Sequence, residues 1–172
     1  IIGPNGSGKT SLLRTLLGDL PPVGGEMDLG ANVQTGYLPQ THDALSPDMT
    51  ALDAVLEVEP KVGEGAARNL LGSFLFHGDD VFKPIGELSG GQRSRVVLAR
   101  LVAQGANLLM LDEPTNHLDI RSQEILQDVL QGFGGTVICV SHDRYLVQAL
   151  ATQVWVIEGR TFHNIKGDWN AF

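Results

Sequence analysis

A glycine-rich loop at the start of the chain constrains its fold more than any other feature. The segment from Gly3 to Ser11 reads GPNGSGKTS, a glycine followed by four residues and then Gly-Lys-Thr. Such a loop lets backbone N–H groups wrap a phosphate chain without side chains in the way. Lys9 can reach the β- and γ-phosphates, and the Thr10 hydroxyl can ligate Mg²⁺. The predicted phosphate-binding residues are Asn5, Gly6, Ser7, Gly8, Lys9, Thr10 and Ser11.

The segments on either side of the loop indicate how it is held. Leucines follow at helical spacing, so Thr10 and Ser11 are predicted in the first turn of a helix, whose positive end favours an anion. Only Ile1 and Ile2 precede the loop, where a buried strand of about four to eight residues is expected. We therefore expect the chain to be a fragment or domain of a longer protein, with N-terminal strands missing.

Strands and helices alternate along the rest of the chain, which predicts an α/β fold with a mainly parallel sheet flanked by helices. Predicted strands cover residues 24–30, 33–38, 108–111, 136–140 and 154–157, and residues 161–165 pair with the last of them. Predicted helices cover residues 50–56, 64–76, 90–104 and 144–150, and one more runs to residue 133. Residues 1–40 and 88–172 are predicted as the core, and residues 41–87 as a small helical subdomain.

Two residues compete as starting points of the helix that runs to residue 133. Asp119 and Ser122 both have side chains that can accept a hydrogen bond from a first-turn N–H group. The helix over residues 90–104 has one clear N-cap, Ser89.

Composition and charge exclude several classes of protein. The 172 residues are 42% apolar, enough for one domain with a core, and the net charge of −8 argues against a non-specific nucleic-acid binder. No apolar run approaches the ~20 residues of a membrane span, so no direct membrane insertion is expected. The single cysteine, Cys139, favours the cytoplasm and is predicted to be a buried apolar side chain in the strand over residues 136–140.

Two acidic residues follow the apolar strand over residues 108–111. An open α/β sheet places ligands at the carboxyl ends of its strands, where Asp112 can hold Mg²⁺. Glu113 can turn toward the γ-phosphate and polarise the attacking water. A strand that simply ends in acidic residues is the ordinary alternative, and the upstream phosphate loop argues against it.

The stretch LSGGQ at residues 88–92 predicts a second anion site, because it forms a glycine-rich helix N-terminus. The chain has only one lysine-bearing phosphate loop. Either both sites close on one nucleotide within the chain, or the second serves a nucleotide held by another molecule. An ordinary serine N-cap with flexible glycines is the third interpretation.

The motifs together resemble those of ATP-binding cassette (ABC) ATPases, over nearly the whole chain. Residues 3–11 resemble the Walker A loop, residues 88–92 the family signature, residues 108–113 Walker B with its catalytic glutamate, and residues 118–119 the D-loop. Gln40 falls where the family has its Q-loop glutamine, and His142 where it has its switch histidine. The fold implied is that of a P-loop NTPase.

The resemblance implies ATP hydrolysis to ADP and phosphate with Mg²⁺. The implied catalytic residues are Lys9, Gln40, Glu113 and His142, and the implied metal site uses Thr10, Gln40 and Asp112. The family works as head-to-tail pairs, so Ser89, Gly90, Gly91 and Gln92 are expected to complete the nucleotide site of a second cassette. That partner lies in the same parent chain or is a second copy. His42, His77 and His163 have no such context and are expected at the surface.

Residues 113–119, EPTNHLD, resemble the ABC-F branch, since transporter cassettes usually carry other residues where Asn116 and His117 stand. The ending GDWNAF also resembles ABC-F cassettes, although tyrosine is commoner at the position of Trp169. Residues 41–87 are too short for helices plus an inserted arm, which indicates the second, C-terminal cassette of a tandem protein.

The leading hypothesis is therefore an ATP-hydrolysing cassette of a soluble ABC-F protein. Family resemblance alone adds the ribosome as a partner, with translation or antibiotic resistance as the process. The rival is the ATPase subunit of a membrane transporter. A third interpretation is a binding module that hydrolyses nothing, because an aromatic adenine contact is expected upstream of residue 1.

Overall fold

Three parallel strands form the central sheet of the computed structural model, which describes residues 1–39, 45–116, 118–159 and 161–167. The strand order is β1 (Thr35–Leu38), β2 (Leu108–Asp112), β3 (Thr136–Val140). Every residue of β2 is buried, as its apolar sequence requires for a strand with neighbours on both sides and helices on both faces. The register sets Leu111 opposite Leu38 and Cys139, so the carboxyl ends of all three strands share one edge.

A second sheet consists of β4 (Gln153–Glu158) and β5 (Thr161–Lys166), which pair antiparallel as predicted. The first two residues of the chain connect the two sheets. Ile1 donates a hydrogen bond to the carbonyl of Cys139 in β3 and accepts one from the amide of Ser141 just after it. Ile2 donates to the carbonyl of Trp155 and accepts from the amide of Ile157, both in β4. The backbone just before the phosphate loop is thus fixed from both sides.

Six α-helices and three short 3₁₀ turns complete the described part of the chain. The helices are α1 (Lys9–Leu16), α2 (Ala51–Val58), α3 (Gly63–Ser73), α4 (Gly90–Ala103), α5 (Ile120–Gln131) and α6 (Arg144–Leu150). The 3₁₀ turns are Pro60–Val62, Gly78–Phe82 and Ile85–Glu87.

Side-chain caps determine where most of these helices begin. Thr50 and Ser89 form capping boxes at α2 and α4, and the carboxylates of Asp119 and Asp143 accept first-turn N–H groups at α5 and α6. Of the two residues that could begin α5, Asp119 is the cap.

Successive side chains of β2 pack on opposite faces of the sheet, as strand geometry dictates. Leu109 and Leu111 belong to the main core together with residues of α2, α3, α4 and α5. Leu108 and Met110 pack instead with Leu13 of α1. Helices therefore cover both faces of the parallel sheet, and the predicted α/β fold class is confirmed.

The strand predicted over residues 24–30 is wrong, because this segment adopts no regular secondary structure. Its three glycines contribute nothing to packing, and Met27 is its only residue that is not exposed. A segment without an apolar face has nothing to bury against a sheet. The neighbouring prediction over residues 33–38 is confirmed for its second part, which forms β1.

The prediction that Cys139 is buried within the strand over residues 136–140 is also wrong, since Val140 is the one buried residue of β3. The other side chains of the strand lie beside a cavity of about 260 Å³ between β3, β4 and α6. Cys139 is consequently half-buried.

Candidate functional site

Two glycines in the middle of the phosphate loop have backbone angles that favour glycine. Gly6 and Gly8 have φ angles of +79° and +95°, a range that residues with a Cβ rarely adopt. A Cβ at either position would meet no atom within 4 Å, so the requirement comes from the backbone and not from crowding. Gly8 is the left-handed N-cap of α1, and the helix begins at Lys9. The first-turn N–H groups of α1 have no partner within the helix, and they therefore lie at the phosphate loop.

Lys9 lies inside the curve of this loop. Its side chain is largely buried, with the residue 7% exposed, and Nζ donates hydrogen bonds to the carbonyl oxygens of Gly3 (2.8 Å) and Pro4 (3.0 Å). The ammonium group thus stays beside the backbone that a phosphate would contact. Nearby, the buried Ser7 hydroxyl has no hydrogen-bond partner within the part of the chain that the structure describes. Ser7 does not line the cavity beside Lys9, so the ammonium of Lys9 and the N–H groups at the start of α1 are the donors that fit a ligand rich in oxygen acceptors.

Two side chains with oxygen atoms that can bind a metal ion meet at the carboxyl edge of the central sheet. The Thr10 hydroxyl donates to Oδ2 of Asp112 across 2.7 Å, joining the first turn of α1 to the end of β2. Asp112 is only 3% exposed. A hydroxyl and a carboxylate in contact are oxygen ligands of the kind that Mg²⁺ accepts, so the residues present fit the predicted metal.

Glu113 stands immediately beyond β2 in an uncommon backbone conformation. Its φ angle is +49°, and its amide donates to the carbonyl of Val140 (2.9 Å), so the chain turns while it stays bonded to β3. Such strain in a residue other than glycine is typical of functional sites. The turn brings the carboxylate to His142, where the backbone N–H donates to Oε2 (3.3 Å) and Nε2 lies 3.2 Å from Oε1.

These groups surround one cavity of about 570 Å³. The residues that line it are Asn5, Gly6, Gly8, Lys9, Thr10, Ser11, Asp112, Glu113, Asn116, Val140 and His142. Most of the predicted residues of the phosphate loop and strand ends are therefore brought together, but Ser7 does not border the cavity, and Gln40 lies outside the described residues. Asn116 was not predicted as a site residue. Its only sequence signal was an amide side chain three residues after Glu113, which spacing alone does not assign to the site.

The residues of the stretch LSGGQ lie elsewhere. Ser89 and Gln92 form a reciprocal capping box. The backbone N–H of Gln92 donates to Ser89 Oγ (3.2 Å), and the backbone N–H of Ser89 donates to Gln92 Oε1 (2.9 Å). Ser89 and Gly90 are exposed, whereas Gly91 is buried. None of the four predicted residues borders the cavity around Lys9. The alternative in which both anion sites close on one nucleotide within the chain is thus not the arrangement seen.

The remaining titratable groups fit structural roles. Removal of water from the Cys139 sulfur raises the pKa of its thiol to about 12, so it is not a nucleophile. His77 and His163 are exposed as expected, and His42 falls in a segment that the structure does not describe. Within the described ranges, no helix has the length and apolar character to cross a bilayer.

Curated proteins with similar sequences come from several bacteria. The chain is 43% identical to the ATP-binding protein YdiF of Bacillus subtilis over 172 residues, which is all of this chain and 27% of that protein. It is 42% identical to the ATP-binding protein Uup of Escherichia coli over 92% of the chain and 26% of Uup. It is 39% identical to the ATP-binding protein YheS of Haemophilus influenzae over 98% of the chain and 26% of YheS. The chain thus spans about a quarter of the length of these relatives.

Solved structures of similar fold are ABC cassettes. A dimeric post-hydrolysis state of the ATP-binding cassette MJ0796, bound to ADP and Pi, matches with a TM-score of 0.74 and 25% identity. The match covers 96% of this chain and 84% of that one. A second dimeric structure of MJ0796, a bacterial ABC transporter cassette, matches with a TM-score of 0.73 over the same shares. Both solved cassettes are dimers, which supports the pairing of cassettes.

The family model for ABC transporters matches residues 1–116. The segment that resembles the D-loop, residues 118–119, and His142 lie beyond this match. Cassettes of this family are ATPases, so the predicted enzyme class is confirmed at the level of the family. The relatives YdiF, Uup and YheS are ABC-F proteins, in agreement with the branch predicted from residues 113–119. The chain therefore belongs to the ABC transporter family and is an ATP-binding cassette of its ABC-F branch.

Proposed function

We propose that this chain binds ATP with Mg²⁺ in the cavity around Lys9 and hydrolyses it there, in partnership with a second cassette. One observation carries the proposal. A single cavity is bordered by the phosphate loop, by the hydrogen-bonded side chains of Thr10 and Asp112, and by Glu113, whose carboxylate contacts His142. Each of these parts has a task in phosphoryl transfer to water, which depends on positioning and on charge stabilisation.

The phosphate chain would lie against the loop. The N–H groups at the start of α1 and the ammonium of Lys9 supply positive charge where the β- and γ-phosphates need it. Asn5, Gly6, Gly8 and Ser11 shape the rest of that wall.

Thr10 and Asp112 would hold the magnesium ion, with Gln40 as a further proposed ligand by family resemblance. The ion supplies positive charge that neutralises the phosphate oxygens. Asp112 is buried at the strand end, so its carboxylate stays fixed while ligands exchange.

Glu113 would orient the attacking water, because its carboxylate is the acidic group of this cavity that Thr10 does not already occupy. His142 holds both oxygens of that carboxylate, one through its backbone and one through its ring. We assign to His142 the positioning of Glu113 and, by family resemblance, a contact with the γ-phosphate.

The face formed by Ser89, Gly90, Gly91 and Gln92 would complete the site of the second cassette. Its separation from the cavity around Lys9 leaves two half-sites on one chain. The head-to-tail pairing of the family then gives each half-site its missing part.

We further propose that residues 41–87 act as a helical subdomain on a core of residues 1–40 and 88–172.

Phosphate release by the purified protein tests the proposed activity. Glu113→Gln keeps the side-chain shape but removes the carboxylate, so we expect the rate to fall about 100-fold or more while ATP still binds. Lys9→Ala should instead abolish ATP binding. Glu124→Gln makes the same change on an exposed residue of α5 and should hydrolyse at the wild-type rate. Hydrolysis by Glu113→Gln at the wild-type rate would overturn the proposal.

For the whole protein we propose a cytoplasmic ABC-F factor in which this chain is the second cassette and the ribosome is the partner. The ABC-F relatives and the short segment over residues 41–87 support this reading. The second candidate is the ATPase subunit of a membrane transporter, which the likeness to MJ0796 favours. Co-sedimentation of Glu113→Gln with ribosomes in the presence of ATP supports the first candidate. Co-fractionation with membranes supports the second.

A further inference from the structure

The N-termini of α4 and α5 touch at one point, where Gly91 meets Ser122. A Cβ built on Gly91 would lie 2.5 Å from the Cβ of Ser122 and 2.6 Å from its Oγ. Both distances are below the 3.0 Å that real Cβ contacts respect. Both residues are buried, Ser122 being 8% exposed. The two helices can therefore approach this closely only because residue 91 has no side chain.

Backbone conformation does not account for this glycine. Gly91 lies in the first turn of α4 and, unlike Gly6 or Gly8, has no left-handed φ angle. Alanine is a stronger helix former than glycine, so by propensity alone it would be preferred here. The contact with Ser122 is the feature that opposes it.

Ser122 is itself fixed by Asp119. Its amide donates to Oδ1 and its hydroxyl donates to Oδ2 of that carboxylate, each across 2.9 Å. Upstream, the amide of Leu118 donates to the carbonyl of Thr115 (3.2 Å), and the amide of Asn116 donates to the carbonyl of Glu113 (3.1 Å). Local hydrogen bonds, each between residues three apart, thus brace the segment between Glu113 and Ser122.

We propose that Ser122 is a positioning residue that couples the Ser89–Gln92 face to the segment bearing Glu113. This inference rests on the proposed function, in which the two features serve different nucleotides. When the second cassette moves the Ser89–Gln92 face, the contact at Gly91 transmits the displacement to the segment that begins at Glu113. The two half-sites of one chain therefore move together.

A size-exchange experiment tests the coupling, with the ATPase kcat, the KM and the thermal unfolding midpoint measured for each variant. Gly91→Ala should lower kcat at least about 10-fold, because displacement of Glu113 misplaces the water. The KM is measured because Gly91 also belongs to the face that serves the second cassette, and the comparison between the Ser122 backgrounds separates that direct effect from the coupling. In the Ser122→Gly background, which removes the Cβ that would clash, Gly91→Ala should lower kcat several-fold less than it does in the wild type.

Ser122→Ala is the matched control because it removes the hydroxyl but keeps the Cβ. In that background Gly91→Ala should remain as harmful as in the wild type. Equal effects of Gly91→Ala in the Ser122→Gly and Ser122→Ala backgrounds would overturn the coupling, as would a wild-type kcat in Gly91→Ala. A lowered unfolding midpoint with unchanged kcat would make the contact structural only, and that also overturns it. Absence of phosphate release by the wild type would instead overturn the proposed function.

Discussion

At the scale of single residues, the position of Glu113 depends on His142. The ring contact at 3.2 Å is the part that a substitution can remove, while the backbone N–H contact stays. His142→Ala should therefore lower kcat about 10- to 100-fold, within the range of a positioned acid–base partner. The histidine side chain is 50% exposed, so the free energy of unfolding should change by less than about 0.5 kcal/mol.

The exposed His77 offers a matched control for this prediction. His77→Ala should retain both the wild-type kcat and the wild-type stability. A His142→Ala variant with an unaltered rate would show that Glu113 keeps its position through the backbone contact alone.

Cys139 should resist alkylation, because the thiol pKa of about 12 leaves almost no thiolate at neutral pH. We expect iodoacetamide to modify the native protein far more slowly than the unfolded protein at pH 8, with the rate rising as the pH increases further. Mass spectrometry after timed quenching measures both rates. Similar rates in the two states would contradict the raised pKa.

Residue types and order predicted Lys9, Thr10, Asp112 and Glu113 as site residues, whereas His142 was added by the family resemblance. Their contacts were not predictable. The bond between Thr10 and Asp112 joins residues 102 positions apart, and the double hold of His142 on Glu113 depends on the register of β2 and β3. β2 is buried on both faces, so it lacks the alternation of apolar and polar residues that would specify its register.

At the scale of elements, two capping boxes provide a matched pair. Thr50 caps α2 and Ser89 caps α4, each with a reciprocal partner at the third helical residue. Ser89→Ala and Thr50→Ala should each lower the free energy of unfolding by about 1 kcal/mol. Only Ser89→Ala should also reduce phosphate release, because Ser89 belongs to the face that serves the second cassette.

Chemical denaturation and phosphate release, measured side by side, separate these effects. Equal losses of activity in the two variants would mean that Ser89 acts through stability alone.

The cap of α5 should make stability sensitive to acid. Hydrogen bonds from the amide and hydroxyl of Ser122 hold the pKa of Asp119 below its usual range. The native state then binds the proton less readily than the unfolded state. The stability that ionised Asp119 adds to the fold is complete above the pKa of about 3.9 that it has in the unfolded state. This stability is lost as the pH falls through the lower pKa of Asp119 in the native state. The stability difference between the wild type and Asp119→Asn should therefore shrink on acidification below about pH 4.

Thermal unfolding of both proteins between pH 7 and pH 2.5 measures that difference. A gap that stays constant over this range would mean that the charge of Asp119 contributes nothing to the cap.

Helices were easier to predict than strands, for reasons visible in particular elements. Ser89 and Thr50 are caps that act within four residues, so α4 and α2 were found from local sequence. The segment over residues 24–30 had strand-like residues but no partner to bury them, and burial is a property of the fold. The partial exposure of β3 likewise follows from its neighbours and not from its apolar sequence.

At the scale of the whole molecule, Ile2 connects the start of the phosphate loop to β4. Its side chain is buried with Val154 and Val156, and its backbone bonds to β4. Ile2→Ala should lower the free energy of unfolding by about 2 kcal/mol or more, the usual cost of such a truncation. It should also weaken ATP binding, because the loop starts at the next residue.

Val23 is fully exposed, so Val23→Ala serves as the control and should change stability by less than about 0.5 kcal/mol. Denaturant titration and binding of a fluorescent ATP analogue provide the two measurements. Wild-type affinity in Ile2→Ala would mean that the loop keeps its shape without this anchor.

The hydrogen bonds of Ile1 and Ile2 also set an order of events during synthesis of the chain. Their partners, residues 139–141 and 155–157, are translated last among the segments that touch the loop. At about 5–20 residues per second, roughly 8–30 s pass between translation of the loop and translation of its last support. Nucleotide capture must wait for that interval, so the loop matures well after its own residues have been translated.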